Sequence, residues 1–321
     1  MEKLKIAVIM DPIEAIASYK DSTLSMLRSA QAREHELFYF TINDLRIASG
    51  KVIGASKTLK VFSNDAQWYE VGTSVDINLA DLDVVLMRKD PPFNMEYIYV
   101  TYMLDLVEEA GVLVVNRPSS LRNINEKAFI SWFPECCPET LVTRSKNELK
   151  NFRKKHEKIV VKPLDGMGGA GVFVISKSDN NANVIFETLT NNETQFIMAQ
   201  GYIPEIKNGD KRIILINGEA PRYSLARIPD ISDNRGNLAM GAKAEIRELT
   251  DRDLWICKQV GPELRRRGVI FAGLDVIGDY LTEVNVTSPT GIREISDATD
   301  LNLAEEFIKC IEKTKSIGGN N

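Results

Sequence analysis

The sequence predicts an α/β fold that opens on a parallel sheet and continues into mixed α and β units. Three observations carry that prediction. Strand-like and helical patterns alternate from residue 3 to residue 116, which argues for parallel strands with ligands beyond their carboxyl ends. Apolar runs at 159–164 and 172–176 are joined by the glycine-rich turn Asp165-Gly166-Met167-Gly168-Gly169-Ala170-Gly171. Runs at 271–277 and 281–286, separated by Gly278-Asp279-Tyr280, read as an antiparallel hairpin with a three-residue loop.

Taken in order, residues 3–10 (KLKIAVIM) form a buried-strand pattern that stops at Asp11-Pro12. Apolar residues at helical spacing over 22–33 follow Ser22 as a candidate cap. Residues 35–40, 83–87 and 112–116 read as strands, 51–62 as a small hairpin and 96–109 as a helix. Arg117-Pro118-Ser119-Ser120 reads as a linker closing this unit near residue 122. Beyond it, residues 123–133 have a helical pattern, 140–143 that of a short strand, and 148–156 that of a helix. Residues 183–190 read as a helix, and 194–203 as a strand running into a connector. Strands at 213–216 and 222–227 follow, and residues 228–243 are polar and long enough to be read as a lid. Thr250 and Asp253 form a capping box for a helix over 250–267 that stops at Gly268. Residues 304–315 form a last amphipathic helix, before a Gly318-Gly319-Asn320-Asn321 tail that should fray.

The 321 residues allow two or three packed units, and 44% hydrophobic with 26% charged residues is ordinary for a globular chain. A net charge of −5 argues against a nucleic-acid or membrane partner. The early apolar run at 6–10 is far too short for a signal-peptide core, and nothing later spans a membrane. The expected location is the cytoplasm. Cys136, Cys137, Cys257 and Cys310 show no zinc spacing and read as reduced structural thiols.

The chemistry concentrates in the hairpin. An odd-length loop places Asp275 opposite Glu283, and the two-residue period of a strand puts Asn285 on the same face. Three oxygen donors without histidine or cysteine suit Mg²⁺, which takes one or two carboxylates and completes its shell with substrate phosphates. Taken alone, the same residues fit a turn aspartate and a solvated glutamate equally well. Lys162 sits inside a buried strand and needs a partner, because an unpaired buried ammonium is costly; a phosphate would serve. Gly166, Gly168 and Gly171 match G-x-G-x-x-G, but a strand follows them where a dinucleotide site needs a helix. A glycine turn between strands can fold over phosphates instead. Arg88 and Lys89, at the end of a parallel strand, suit an anionic substrate, although a charged loop closed by Pro91 and Pro92 explains them too. With only His35 and His156, a histidine base or triad has no support. What remains is phosphoryl transfer by positioning and electrostatics.

Eight segments, in order, resemble the bacterial glutathione synthetases, a family of ATP-grasp ligases. They are MRKDPPF at 87–93, NEKAF at 125–129, KPLDGMGG at 162–169, DKR at 210–212, LARIP at 225–229, RGNLA at 235–239, GLDVIGD at 273–279 and TEVNVTSPTGIRE at 282–294. The resemblance implies a Rossmann-like parallel-sheet domain over 1–122, a central lobe with the glycine loop over 123–202, and a C-terminal lobe with lid and metal site over 203–316. Residues 317–321 would be a flexible tail. The two lobes, both α+β, would hold ATP between them. The implied reaction joins γ-L-glutamyl-L-cysteine to glycine, giving glutathione, ADP and phosphate, in a cytoplasmic homotetramer that binds neither nucleic acid nor membrane.

Residue by residue, the resemblance assigns Lys127 and Lys162 to the phosphates, beneath Gly166, Gly168 and Gly169. Gln200, Gly201, Tyr202, Ile203 and Asp210 would hold the adenine and ribose. Asp275, Glu283 and Asn285 would bind two Mg²⁺, with Glu283 as the bridge and Mn²⁺ as a possible substitute. Arg212, Arg227 and Asn285 would surround the reacting acyl phosphate together with lid residues Arg235 and Asn237. Arg88, Lys89, Ser288, Pro289 and Arg293 would hold the peptide or glycine. Two departures stand out: Gly201, where relatives carry a side chain, and Lys243, where an arginine is expected. A ligase of the same fold acting on D-alanine, or one adding glutamate to a protein tail, shares the nucleotide residues. A nucleotide-binding regulatory module without turnover shares them too.

Overall fold

Three sheets account for the strand patterns in a computed structural model that describes residues 3–166, 168–229 and 243–318. The first is built from β1 (Lys5–Ile9), α1 (Ser22–Ala32), β2 (Glu36–Phe40), β3 (Leu45–Ala48), β4 (Lys51–Val61), β5 (Tyr69–Asn78), β6 (Val84–Met87), α2 (Met95–Glu109) and β7 (Leu113–Val115). Strands β2, β1, β6 and β7 lie side by side and parallel, as the alternation predicts. Their order reverses between β1 and β6, so a crevice opens beyond the carboxyl ends of those two strands. The segment read as a small hairpin over 51–62 is one long strand, β4. It pairs antiparallel with β2, β3 and β5 and so widens the sheet.

Three local expectations fail, two of them for identifiable reasons. Asp21, one residue before Ser22, caps α1 by accepting the Leu24 N–H at 2.6 Å. Ser22 is therefore the first helical residue and its hydroxyl is released for a distant task. Pro118 starts helix α3 (Pro118–Asn123) rather than a linker, because proline's fixed φ and missing N–H suit the first helical position. The helix read over 123–133 is a 3-10 segment, Ala128–Trp132, followed by a second short one at Pro134–Cys136.

The second sheet contains β8 (Thr140–Thr143), α4 (Lys146–Lys155), β9 (Lys158–Pro163), β10 (Phe173–Ser176), α5 (Ala182–Leu189) and β11 (Ile197–Gly201). Its strands run antiparallel in the order β10-β9-β11-β8, and one face packs on Leu149, Phe152 and Phe186 of the two helices. The third contains β12 (Asp210–Ile216), β13 (Tyr223–Ile228), β14 (Lys243–Glu248), α6 (Asp251–Arg266), β15 (Phe271–Ile277) and β16 (Tyr280–Asn285). Here the antiparallel order is β14-β13-β12-β15-β16, with α6 packed beneath through Ile256, Val260 and Leu264. Thr250 and Asp253 form the expected capping box.

The chain ends in α7 (Ile292–Ala298) and α8 (Leu303–Gly318). Helix α8 returns to the first sheet, where Phe307, Ile308 and Ile311 share a core with Leu24, Leu27 and β1. The helix continues through Ile317 and Gly318, which the sequence reading placed in a flexible tail. Among the described residues no helix is long and apolar enough to cross a membrane.

Candidate active site

The β15–β16 hairpin sets Asp275 opposite Glu283 and Gly273 opposite Asn285, so the three oxygen-bearing side chains share a face. The route differs from the sequence argument. Ile277 pairs with Tyr280, so the loop is the two residues Gly278-Asp279, with Gly278 left-handed at φ 55°. A two-residue turn and a regular ladder would put Glu283 on the core face. A bulge restores the phase: Val276 pairs with Leu281 and Asp275 with Glu283, leaving Thr282 as the extra residue. The Thr282 hydroxyl donates to the Asp275 carbonyl at 3.1 Å.

Asp275 is buried and gripped from β12 and β13. Arg212 donates to it through Nε at 2.6 Å and Nη2 at 3.1 Å, and Arg227 Nη2 lies 3.0 Å from Oδ1. Burial pushes the Asp275 carboxyl up, but Arg212 and Arg227 outweigh it and hold the group well below the usual carboxylate range. Asp210 is paired with Arg227 and moves the other way. Burial, reinforced by the Asp275 and Glu283 charges against the opposing pull of Arg227, brings it to about 7. Its Oδ1 is buried with no hydrogen-bond partner among the described residues. Asn285 donates through Nδ2 to Asp275 Oδ2 at 3.2 Å and to Gly273 O at 3.3 Å, so Oδ1 is the atom it can offer a cation.

This donor set fits Mg²⁺ that arrives with a nucleotide. The donors are hard oxygens on facing positions, and the orphaned Asp210 oxygen shows unspent acceptor capacity beside them. Among the described residues no cluster of three or more His, Cys, Asp and Glu would hold an ion unaided. Phosphate oxygens would have to complete the shell.

The second sheet and the segment that leads into it supply cations suited to such phosphates. Lys162, on β9 and only 7% exposed, reaches across to Glu283 Oε1 at 3.3 Å. The partner demanded by its burial is thus a carboxylate of the opposite sheet. Lys127, also buried, donates to Glu126 Oε1 at 2.7 Å and to the Gly166 carbonyl at 3.0 Å. The glycine turn therefore begins at a lysine, and Gly166, Gly168, Gly169 and Gly171 all hold positive φ, which side chains resist. Gln200 is buried and donates to Thr140 Oγ1 at 3.1 Å. Gly201 donates to the Glu139 carbonyl; a Cβ there would meet His156 ring atoms at 3.6 Å and the Glu139 carbonyl oxygen at 4.0 Å, both ordinary contact distances, so a side chain would fit without moving the backbone. Tyr202 lies under the Lys158 ammonium, and Ile203 is buried beside it.

The residues expected to hold the peptide are already engaged. Arg88 is buried and donates to Thr23 Oγ1 and to the Pro289 carbonyl, both at 3.0 Å, with its guanidinium over the Phe271 ring. Lys89 pairs with Asp11 at 2.8 Å. Ser288 donates to the Arg88 carbonyl at 3.2 Å. Ser22, displaced from its capping role, accepts the Gly291 N–H at 3.2 Å. Arg293 binds the Ser18 carbonyl and Asp297, near Asp65. These contacts fasten the 288–293 turn to the carboxyl ends of the parallel strands. Arg235, Asn237 and the interior of the 228–243 segment lie outside the described residues; Lys243 begins β14.

Four contributors escaped the sequence reading. Gly273 lies where a Cβ would come within 2.8 Å of Arg212 Cδ and 2.9 Å of Pro289 Cβ. Lys211 ties the Gly278 carbonyl to Asp253 at the start of α6. Asn125 accepts the Lys127 N–H at 3.1 Å and donates to the Leu164 carbonyl at 3.0 Å, joining the lysine to the mouth of the glycine turn. Asn116 holds both strands at the open end of the hairpin. Gly273, Asn125 and Lys211 stood inside the motifs that carry the resemblance, which was the available signal; Asn116 had none beyond its neighbours.

Known proteins extend this picture. The model of the prokaryotic glutathione synthetase N-terminal domain matches residues 4–122, and that of the ATP-grasp domain matches 126–300. The glutathione synthetase of Coxiella burnetii is 53% identical over 309 residues, covering 96% of each chain. That of Pseudomonas syringae pv. tomato is 52% identical over 310 residues, covering 97% of each. Among solved structures, D-cycloserine synthetase DcsG superposes with a TM-score of 0.66 at 10% identity, covering 97% of this chain and 99% of that one. The ATP-grasp ligase PsnB, complexed with a minimal precursor, gives 0.63 at 17%, with the same coverage. At such identities the two structures speak for the fold alone, and the fold is ATP-grasp. With both domains matched and half of the residues shared over nearly the full length, the chain belongs to the prokaryotic glutathione synthetase family.

Proposed function

We propose that the protein joins γ-L-glutamyl-L-cysteine to glycine at the expense of ATP, giving glutathione, ADP and phosphate. A carboxylate is a poor electrophile, so the cysteinyl carboxylate first takes the γ-phosphoryl group. Glycine's amine then attacks the acyl carbon; phosphate leaves with the C–O electron pair and the amine loses a proton. Both steps develop negative charge, and preorganised cations in a closed site are the economical way to stabilise it.

The observation that carries this reading is the Lys162–Glu283 contact, which brings the phosphate-binding lysine of one sheet against the acidic hairpin of the other. Lys127 and Lys162 would hold the phosphates, with Gly166, Gly168 and Gly169 folded over them. Gln200 to Ile203 and Asp210 would hold the nucleoside. Arg212 and Arg227 would face the acyl phosphate, while Arg88, Lys89, Ser288, Pro289 and Arg293 would shape the peptide and glycine pocket. Mg²⁺, two ions per site or Mn²⁺ in their place, would be held by Asp275, Glu283 and Asn285 and would supply charge neutralisation along the phosphate chain. The 228–243 segment, with Arg235 and Asn237, would exclude water from the intermediate. A cytoplasmic homotetramer completes the proposal. The exposed row Met95, Tyr99, Tyr102 and Leu106 along α2 supports self-association.

The test is an assay of ADP release. ADP should appear when γ-glutamylcysteine, glycine and Mg²⁺ are all present, and glutathione should accumulate with it. Release with D-alanine but none with the dipeptide and glycine would make the protein a sister ligase. Binding of ATP without release under any combination would make it a regulatory module.

A further inference from the structure

The catalytic hairpin is open at the end where β15 begins and β16 stops. The ladder stops at the Gly273–Asn285 pair, and beyond it, among the described contacts, one buried side chain from the end of the first sheet stands between the strands. Asn116, just past β7 and 3% exposed, donates through Nδ2 to the Phe271 and Val286 carbonyls, both at 2.7 Å. Its Oδ1 accepts the Ile270 N–H at 2.8 Å and the Phe271 N–H at 2.9 Å. A carboxamide has two N–H donors and one oxygen with two lone pairs, so all four capacities are used. The held groups are one residue past Asn285 and four or more before Asp275.

β12 also holds β15 here, with Ile216 paired to Phe271 and the Asn217 N–H donating to the Ile270 carbonyl at 2.6 Å, but among the described contacts only Asn116 bonds the start of β15 and the residue after β16 together. The turn end is tied by Lys211 to the Gly278 carbonyl and by Arg252 to the Asp279 carbonyl. Near the end of β16 the Val284 N–H donates to the Glu126 carbonyl at 2.8 Å, which holds that strand but does not join it to β15. Around Phe271 the Arg88 guanidinium lies 5.3 Å from the ring centroid, so two carboxyl ends of the parallel sheet meet the base of the hairpin. Rotation or separation of the strands there would carry Asn285 away from Asp275, which it reaches at 3.2 Å.

We infer that Asn116 is a positioning residue for the magnesium–nucleotide site: the parallel-sheet unit, through this amide, sets the spacing of Asp275, Glu283 and Asn285. The inference rests on the assignment of those three residues as cation ligands. It goes beyond that assignment by making the N-terminal unit part of the nucleotide site as well as of the peptide pocket. Residues that orient ligands typically change metal affinity by about 10- to 100-fold when removed.

The experiment compares full-length wild type, Asn116→Ala, Asn116→Ser and a control, Leu27→Ala, whose loss opens a cavity in the core shared by α1 and α8 but removes none of the four Asn116 hydrogen bonds. Binding of a non-hydrolysable ATP analogue is titrated with Mg²⁺ calorimetrically, well below each protein's melting temperature. Both Asn116 variants should need about 10-fold more Mg²⁺ for half-maximal binding, while the control stays within about two-fold despite a lower Tm. A folded Asn116 variant with wild-type Mg²⁺ dependence overturns the inference. Should neither variant fold, wild-type amide exchange decides. By reciprocity of coupled equilibria, Mg²⁺ and the analogue together should slow exchange at Ile270 and Phe271, and unchanged exchange overturns it. Failure of the wild type to bind the analogue with Mg²⁺ would overturn the ligand assignment itself, a result distinct from either.

Discussion

Asp275 shows how much a single side chain can be asked to balance. It neutralises Arg212 and Arg227 and accepts from Asn285, so its charge serves the fold as well as any cation. Asp275→Asn should therefore leave two guanidiniums short of a buried counter-charge and cost about 3–5 kcal/mol. Urea unfolding measures this, and a cost under about 1 kcal/mol would mean that solvent screens the cluster. Glu283 is different, because its contact with Lys162 crosses between sheets and carries little of either core. Glu283→Ala should abolish turnover with only a small loss of stability; near-normal ADP release in that variant would remove the basis of the metal assignment. At this scale the sequence was legible where chemistry announces itself. An acid pair at strand spacing and a lysine inside an apolar strand both declare a need. Gly273 declares none, since its importance lies in the space that Arg212 and Pro289 occupy beside it. Gly273→Ala would force those groups apart, costing about 1–3 kcal/mol and most of the activity.

The hairpin shows what an element adds. The facing of Asp275 and Glu283 was readable from residue types and strand period, but the means was not. A three-residue loop and a two-residue loop with a bulge give the same phase, and a bulged threonine inside a β-prone run has no local signature. The distinction can be tested by deletion. Removing Thr282 should merge the bulge into a regular ladder and leave Glu283 opposite Asp275, so the variant should fold and still be stabilised by Mg²⁺ and ATP. Removing Val284 should turn Asn285 toward the core, burying an amide without partners at a cost of about 1–3 kcal/mol and ending nucleotide stabilisation. Thermal melts with and without Mg²⁺ and ATP separate the two; equal damage from both deletions would refute the bulge as the phase-setting device. The same lesson holds at α1, where Asp21 and Ser22 are both good caps and only the docked 291–292 backbone decides which one is free.

Across the whole molecule, the contacts that unite the units join residues far apart in the chain, and these were the least readable. Helix amphipathicity identified α8 but could not say that it closes on α1 across more than 270 residues. Its anchor is Glu312, which accepts from Arg33 Nε at 2.8 Å and Nη2 at 2.7 Å and lies 2.9 Å from His35 Nε2. The Leu4 N–H donates to His35 Nδ1, so Nε2 carries the hydrogen and donates to Glu312. Hydrogen bonding from Arg33, reinforced by His35, holds the Glu312 carboxyl below its ordinary value. A group depressed in the folded state stabilises above its unfolded pKa and loses that contribution as pH falls through the folded one. Wild type should therefore exceed Glu312→Gln by about 1–3 kcal/mol at neutral pH. The gap should narrow as pH drops below the unfolded value near 4.5. Glu305, 3.6 Å from Arg33, keeps part of the charge balance in the variant and sets the lower end of that range. Urea titrations of both proteins at several pH values test it: curves that stay parallel down to acid pH would show that α8 is held by its apolar face alone, with Phe307, Ile308 and Ile311 sufficient to close the fold.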